Sequence, residues 1–242
     1  MESASSETIQ RISVFTAVQN NIYGKAASCK TIKRILKRAN FVWKRMRKSL
    51  QNKRDESLFR FFEKEVQLLK QEAIKEDIDL VYFDGCGFDM NPSVPYCWSK
   101  KGETVLLPAL RSKGYTVLGL LNIYKNEFYG NIYQGSANAQ CVIQTLDDYA
   151  HKIQKKTIII LDNASIHKAK IVQEKMKQWR HKGMYLQFIP AYSPELNLIE
   201  ILWKMMKHFW LQPKHYCSMD SLHESIINIL QNYGNHYAIS FG

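Results

Sequence analysis

Strand runs that alternate with amphipathic helices predict an α/β domain over residues 77–242, a mixed sheet with helices on its faces, preceded by a small helical and basic segment. Three observations carry this. Thr157-Ile-Ile-Ile-Leu161 is a β-branched run typical of a buried central parallel strand. Strand runs at Asp79–Phe83 and Tyr115–Tyr124 come before it, and helical spacing follows each later strand. The surplus of positive charge is confined to one N-terminal stretch.

Taken in order, residues 1–54 read as a DNA-binding region, part of a helix-turn-helix with a basic arm. Residues 7–20 are one predicted helix, Gly24 interrupts, and Ser28 is a candidate N-cap for a helix over Cys29–Ala39. On that helix Ile32, Ile35, Leu36 and Ala39 form the inner face, and Lys30, Lys33, Arg34, Lys37 and Arg38 the other. The following stretch, Phe41 to Lys48, interleaves aromatics with Lys44, Arg45, Arg47 and Lys48. The plainer reading is a solvated basic face with no groove to enter. Residues 55–76 predict one connecting helix with Leu58, Phe62, Val66, Leu69 and Ala73 on a shared side.

Within 77–242, residues 96–100 are a second expected strand. Residues 115–124 and 127–133 are expected to pair as a hairpin across Lys125-Asn126. Helices are expected at 138–154 and 165–180, a strand at 185–189, a long helix at 195–211 and a last helix near 220–233. Pro190 and Pro194 set the approach to the long helix.

The chain has 242 residues and a formal net charge of +12. From Lys25 to Arg54 there are twelve Lys and Arg and no acid, which leaves 22 basic and 22 acidic residues elsewhere. Such a block predicts a polyanionic partner, nucleic acid or an anionic membrane surface. The five cysteines form no C-x-x-C pair and read as isolated thiols of a reducing compartment. No apolar run approaches the ~18 residues of a membrane span, and no signal pattern opens the chain, so a cytoplasmic, soluble protein is expected.

Three acids stand out. Asp84 follows the strand run Leu80-Val-Tyr-Phe83 and Asp162 follows Leu161, the carboxyl-end position favoured by active sites of open α/β sheets. Glu200 lies at the border of the packed side of its helix, where Leu196, Ile199, Trp203, Met206 and Trp210 share one side and Asn197, Lys204 and His208 the other. Each has a duller explanation: Asp is a common turn former after a strand, and an edge Glu commonly faces water. Three converging carboxylates suit two hard divalent cations, which activate an attacking oxygen and stabilise a leaving one in phosphodiester cleavage.

DGCGFDM around Asp84, IILDNASIHKAK around Asp162 and FIPAYSPELNLIEILWKMMK around Glu200 closely resemble the three motifs of DDE transposases. The branch they resemble most is the insertion-sequence-630 group of bacterial elements, related to mariner. The block from Tyr192 to Trp203 is the most specific, and 37 residues separate Asp162 from Glu200, close to what the family tolerates. KTIKRILKRANFVWKRMRKSL also resembles the end of that family's DNA-binding region, so the resemblance covers roughly residues 20–215.

The resemblance implies a ribonuclease-H-like fold and two Mg²⁺ ions, with Mn²⁺ able to substitute, held by Asp84, Asp162 and Glu200. It implies cutting at transposon inverted repeats and strand transfer into target DNA. It also implies a bacterial, nucleoid-associated location and a homodimer. Asn163 is expected to shape its turn. His167 is open between touching DNA, orienting a carboxylate and starting a helix. Asn197 is expected to support Glu200 through a hydrogen bond. The family's N-terminal region is usually longer, with two helix-turn-helix units, so a shortened chain is expected. Two alternatives follow: a non-catalytic DNA-binding remnant, and a related ribonuclease-H-like nuclease such as a junction resolvase.

Overall fold

The computed structural model describes residues 28–42, 53–93, 101, 106 and 114–241. The helix expected at 7–20, the strand expected at 96–100, and the arm residues Lys44, Arg45, Arg47 and Lys48 lie outside them. The chain divides into two compact units, Met1–Ser49 and Leu50–Gly242.

The first unit contributes helix α1 (Cys29–Arg38). Ser28 caps it, its hydroxyl accepting from the Thr31 N–H, and Lys37 and Arg38 sit in the last turn, where the helix dipole favours cations. Ile32 is buried, whereas Ile35, expected on the same inner face, is 56% exposed. Lys30, Lys33, Arg34, Lys37 and Arg38 are all exposed.

The second unit begins with helix α2 (Glu56–Ile74), capped by the Asp55 carboxylate. Its buried side is Phe59, Val66 and Ala73, flanked by Phe62 and Leu69. Leu58 is exposed, against expectation. The inner face starts one residue later, at Phe59, which carries the Arg54 guanidinium 3.7 Å above its ring. Arg54 also pairs with Glu56 and with Glu195, so one cation of the basic stretch is neutralised within this unit.

Five strands follow: β1 (Asp79–Phe88), β2 (Tyr115–Asn122), β3 (Glu127–Gln134), β4 (Thr157–Leu161) and β5 (Met184–Phe188). Their order in the sheet is β3-β2-β1-β4-β5. β1, β2 and β3 pair antiparallel, while β4 is parallel to β1 and β5 is parallel to β4. The β2–β3 hairpin turns at Asn126, whose φ of 53° is one that Asn tolerates better than most residues. Helix α3 (Ala139–Ala150) connects β3 to β4, and helix α4 (Lys170–His181) connects β4 to β5. After β5 come a short turn at Pro194–Leu196, helix α5 (Ile199–Met205), a wide helical turn at Met206–Trp210, a further turn at Pro213–Tyr216, and helix α6 (Met219–Gln231).

The period of two along the strands sorts the core into two layers. Val81 and Phe83 of β1, Leu118 and Leu120 of β2, and Ile159 and Leu161 of β4 pack under α3 and α4. Leu80 and Tyr82, Val117 and Leu121, and Ile158 and Ile160 pack on the other face, under α2, α5 and α6. This is the mixed, helix-flanked sheet that the sequence predicts. Among the described residues, no helix is long and apolar enough to cross a membrane.

Three local expectations change. β1 does not stop before Asp84. Its parallel pairing with β4 ends at Tyr82–Ile160, but antiparallel pairing with β2 carries it on to Phe88. The helix expected from 165 starts only at Lys170, because residues 162–169 form a turn held by side chains. The long helix expected at 195–211 is divided: Asn197 has φ −109° and ψ 94°, outside helical space, and the backbone widens after Met205.

Candidate active site

Asp84 and Asp162 meet where β1 and β4 part. Asp162 follows the last residue of β4, and Asp84 lies two residues beyond the last parallel pair. By strand alternation both even-numbered acids belong to the face that carries Leu80, Tyr82, Ile158 and Ile160, the face on which α5 packs. Glu200 stands in the first turn of α5. Ile199, Leu202, Trp203 and Met206 are buried and hold that helix to the sheet, each contributing about 1.5–3 kcal/mol of apolar burial. Three elements distant in sequence thus bring the three acids to one edge of one sheet face.

Asp162 and Asp84 are oriented by different neighbours. Asp162 Oδ1 accepts from the Ala164 backbone N–H at 3.0 Å and lies 2.7 Å from His167 Nδ1. The His167 ring is 1% exposed and leans on Phe83 at 5.2 Å, so it is neither a helix-start residue nor a surface that reaches DNA. The role of carboxylate orienter, one of its three sequence readings, is the one its contacts fit. Asp84 Oδ2 accepts from Trp203 Nε1 at 3.1 Å. Asn163 Nδ2 donates to the Ile189 carbonyl at 2.6 Å, tying the turn after β4 to the end of β5. Asn197 does not reach for Glu200. Its Nδ2 donates 3.0 Å to the Phe83 carbonyl, and at 3% exposure it belongs to the interior, not to the polar side that the helical wheel assigned it. The wheel fails there because Asn197 precedes the helix proper.

The electrostatics follow from this crowding. Burial, then the Glu200 charge and to a lesser extent that of Asp162, push the Asp84 carboxyl up to about 7. Glu200 is raised by loss of surrounding water and by Asp162, with Lys207 opposing. Burial works against the charge of Asp162 too, but the hydrogen bonds from His167 and Ala164 outweigh it and hold that carboxyl below its ordinary value. All three pairs of acids therefore feel one another, the condition under which a cation is favoured. Among the described residues no three His, Cys, Asp or Glu side chains already stand at metal-bonding distance. The all-oxygen donor set nonetheless fits a hard divalent ion, since binding would relieve the mutual repulsion.

Two neighbours of the acids have no role assigned in the sequence reading. Trp203 reads there as core and as the end of the most specific motif. Lys207, seven residues or two helical turns after Glu200, places its ammonium 5.4 Å from the Phe88 ring centroid and tempers the Glu200 charge. Its spacing from Glu200 was the available signal. Tyr192, in the approach to α5, adopts a φ of 60°, uncommon for a bulky residue and a mark of a tightly determined turn.

The family model of the DDE superfamily endonucleases matches residues 79–223, from the first residue of β1 into α6 and across all three acids. The chain belongs to the DDE superfamily of endonucleases. Its resemblance to the insertion-sequence-630 group also holds in alignment. The chain is 24% identical over 223 residues to the "Insertion element IS630 uncharacterized 39 kDa protein" of Shigella sonnei, covering 82% of this chain and 57% of that protein. The chain thus spans little more than half the length of that curated relative. Among solved structures, this DDE endonuclease is similar to the Mos1 transposase paired-end complex with left transposon end, with TM-score 0.58 and 16% identity over 98% of this chain and 76% of that one. It is also similar to the Mos1 mariner paired-end complex with Mn, with TM-score 0.60 and 15% identity over 96% and 74%. The ribonuclease-H-like fold expected from the motifs is the fold these neighbours share.

Proposed function

We propose that this DDE endonuclease is a transposase: it cuts DNA phosphodiesters at the ends of its own element and joins the freed 3′-hydroxyl to target DNA. The observation that carries this reading is the convergence of Asp84, Asp162 and Glu200, from three elements, on one sheet face, where Glu200 and Asp162 raise the cost of charge on Asp84 and Asp162 raises it on Glu200. Asp84, Asp162 and Glu200 would hold two Mg²⁺ ions, with Mn²⁺ able to replace them, and bound ions would activate the attacking oxygen and stabilise the leaving one. A Mos1 neighbour solved with Mn supports that choice of ion.

The remaining work belongs to the chain itself. His167 and the Ala164 N–H keep Asp162 ionised and aimed. Lys207 supplies positive charge beside Glu200, where a DNA phosphate would lie. Lys30, Lys33, Arg34, Lys37 and Arg38 present an unbroken row of cations for duplex DNA, and Lys44, Arg45, Arg47 and Lys48 extend it in sequence. The double-stranded partner would be the element's terminal inverted repeats and then the target, with two copies of the chain pairing the two ends.

The test is cleavage of duplex DNA bearing the element's terminal repeats, with Mg²⁺ or Mn²⁺. Asp162→Asn is expected to abolish cutting and to leave duplex binding close to normal. A variant that still cuts at the wild-type rate overturns the assignment. An assay for strand joining separates transposition from nuclease activity alone.

A further inference from the structure

The Trp203 indole reaches across from α5 to the first acid, 119 positions earlier in the chain. Its ring is 3% exposed, and the edges of Phe88 and Phe128 meet it at centroid distances of 6.5 and 6.1 Å. The floor beneath the ring is a glycine. Gly119 of β2 is the direct cross-strand partner of Asp84, and Gly130 of β3 is the partner of Gly119. A Cβ built on Gly119 would stand 2.8 Å from Trp203 Cη2 and 2.6 Å from Phe128 Cε2. One built on Gly130 would meet the Leu118 carbonyl at 2.5 Å and Phe128 Cζ at 2.9 Å. Such approaches are too close for any side chain, so the two glycines keep open the space into which Trp203 and Phe128 settle.

We propose that Trp203 is a positioning residue for Asp84: its indole N–H holds Oδ2 and, with the Gly85 backbone N–H that also bonds this carboxyl, keeps the group turned toward Asp162 and Glu200, and the Gly119–Gly130 pair exists to seat the indole. The geometry has a physical rationale. An indole N–H is a donor only, so it bonds the carboxylate without competing for a cation. Carried on the same helix as Glu200, it also ties the spacing of the first acid to that of the third. A ligand whose free oxygen points one way binds an ion more tightly than one that rotates.

This inference rests on the metal-dependent reading, and its test has a readout that needs no catalysis. In the metal-free protein the Trp203 indole N–H resonance is assigned by its loss in Trp203→Phe. Asp84→Asn is expected to move that resonance, because a carboxyl acceptor is replaced by a carboxamide. Trp203→Phe keeps an aromatic ring beside Gly119 and removes the donor together with part of the indole's volume. It is expected to melt cooperatively like wild type and to bind Mn²⁺, measured by calorimetry, about 10–100-fold more weakly. Gly119→Ala is expected to show the same loss although Trp203 is retained. Should Trp203→Phe fail to fold, the resonance is assigned instead through its couplings to the Trp203 backbone, and it and Gly119→Ala decide. A resonance unmoved by Asp84→Asn, or wild-type Mn²⁺ affinity in a folded Trp203→Phe, overturns the proposal and leaves the nuclease reading untouched. A wild-type chain that binds Mn²⁺ as described yet never cuts its DNA defeats the nuclease reading and leaves the role of Trp203 standing.

Discussion

His167 holds Asp162 from beneath: Nδ1 lies 2.7 Å from Oδ1, while Nε2 is buried without a hydrogen-bond partner among the described residues. Nδ1 of His167 is the donor to the carboxylate. His167→Ala removes that donor and leaves a cavity against Phe83. We expect cleavage to fall about 10–100-fold, the usual effect of losing an orienting partner of a metal ligand, with duplex binding retained. Single-turnover cleavage beside a gel-shift assay checks this.

The raised carboxyl of Asp84 sets a pH dependence. Between its ordinary value of 3.8 and about 7, the folded chain keeps a proton on Asp84 that the unfolded chain has released. The stability linked to this group is therefore full below the lower value and is lost as pH rises through about 7. Glu200 is shifted in the same direction and adds to the trend, while Asp162, shifted down, loses stability only as pH falls. Metal-free Asp84→Asn is expected to lose less melting temperature than wild type between pH 5 and 8 on thermal scans.

Protons and cations compete for the same carboxylate. Raising pH through about 7 is expected to lower the Mn²⁺ concentration needed for half-maximal binding. Calorimetric titration at several pH values checks this, and an affinity flat across that range would remove Asp84 from the ligand set.

Asn197 bonds the Phe83 carbonyl from the buried turn before α5. Asn197→Ala strands that acceptor and is expected to cost about 1–3 kcal/mol of stability. Denaturant melts measure it, and because the residue braces the strand that leads into Asp84, cleavage should fall as well.

Removing charge from α1 should act on DNA binding and not on chemistry. Lys33→Ala with Lys37→Ala is expected to weaken duplex binding across all sequences. The slope of log affinity against log salt should flatten by about 0.9 for each phosphate that the variant no longer neutralises. Binding isotherms at several salt concentrations read that slope.

The local patterns of this sequence were enough for the strands β1 to β5, the order of the helices that flank them, and the three acids near the ends of regular runs, but not for where the helices before and after β5 begin and break. Periods of two and 3.6 report which side of an element is apolar, and the β-branched run at 157–161 reads as a buried strand inside the sheet. The motif around Tyr192–Trp203 pointed to the family before any fold was visible. What local pattern could not contain was the partner of each polar atom. The continuation of β1 to Phe88 depends on β2, a strand that comes later in the chain. The burial of Asn197 depends on a carbonyl 114 positions away. Trp203 looked like ordinary core because its ring is core; only the packing of α5 over Gly119 turned its N–H toward Asp84. Hydrogen bonds and repulsions act through space over a few ångströms, so the sequence by itself determined which groups exist and which faces they occupy, and the tertiary structure decided which of them meet.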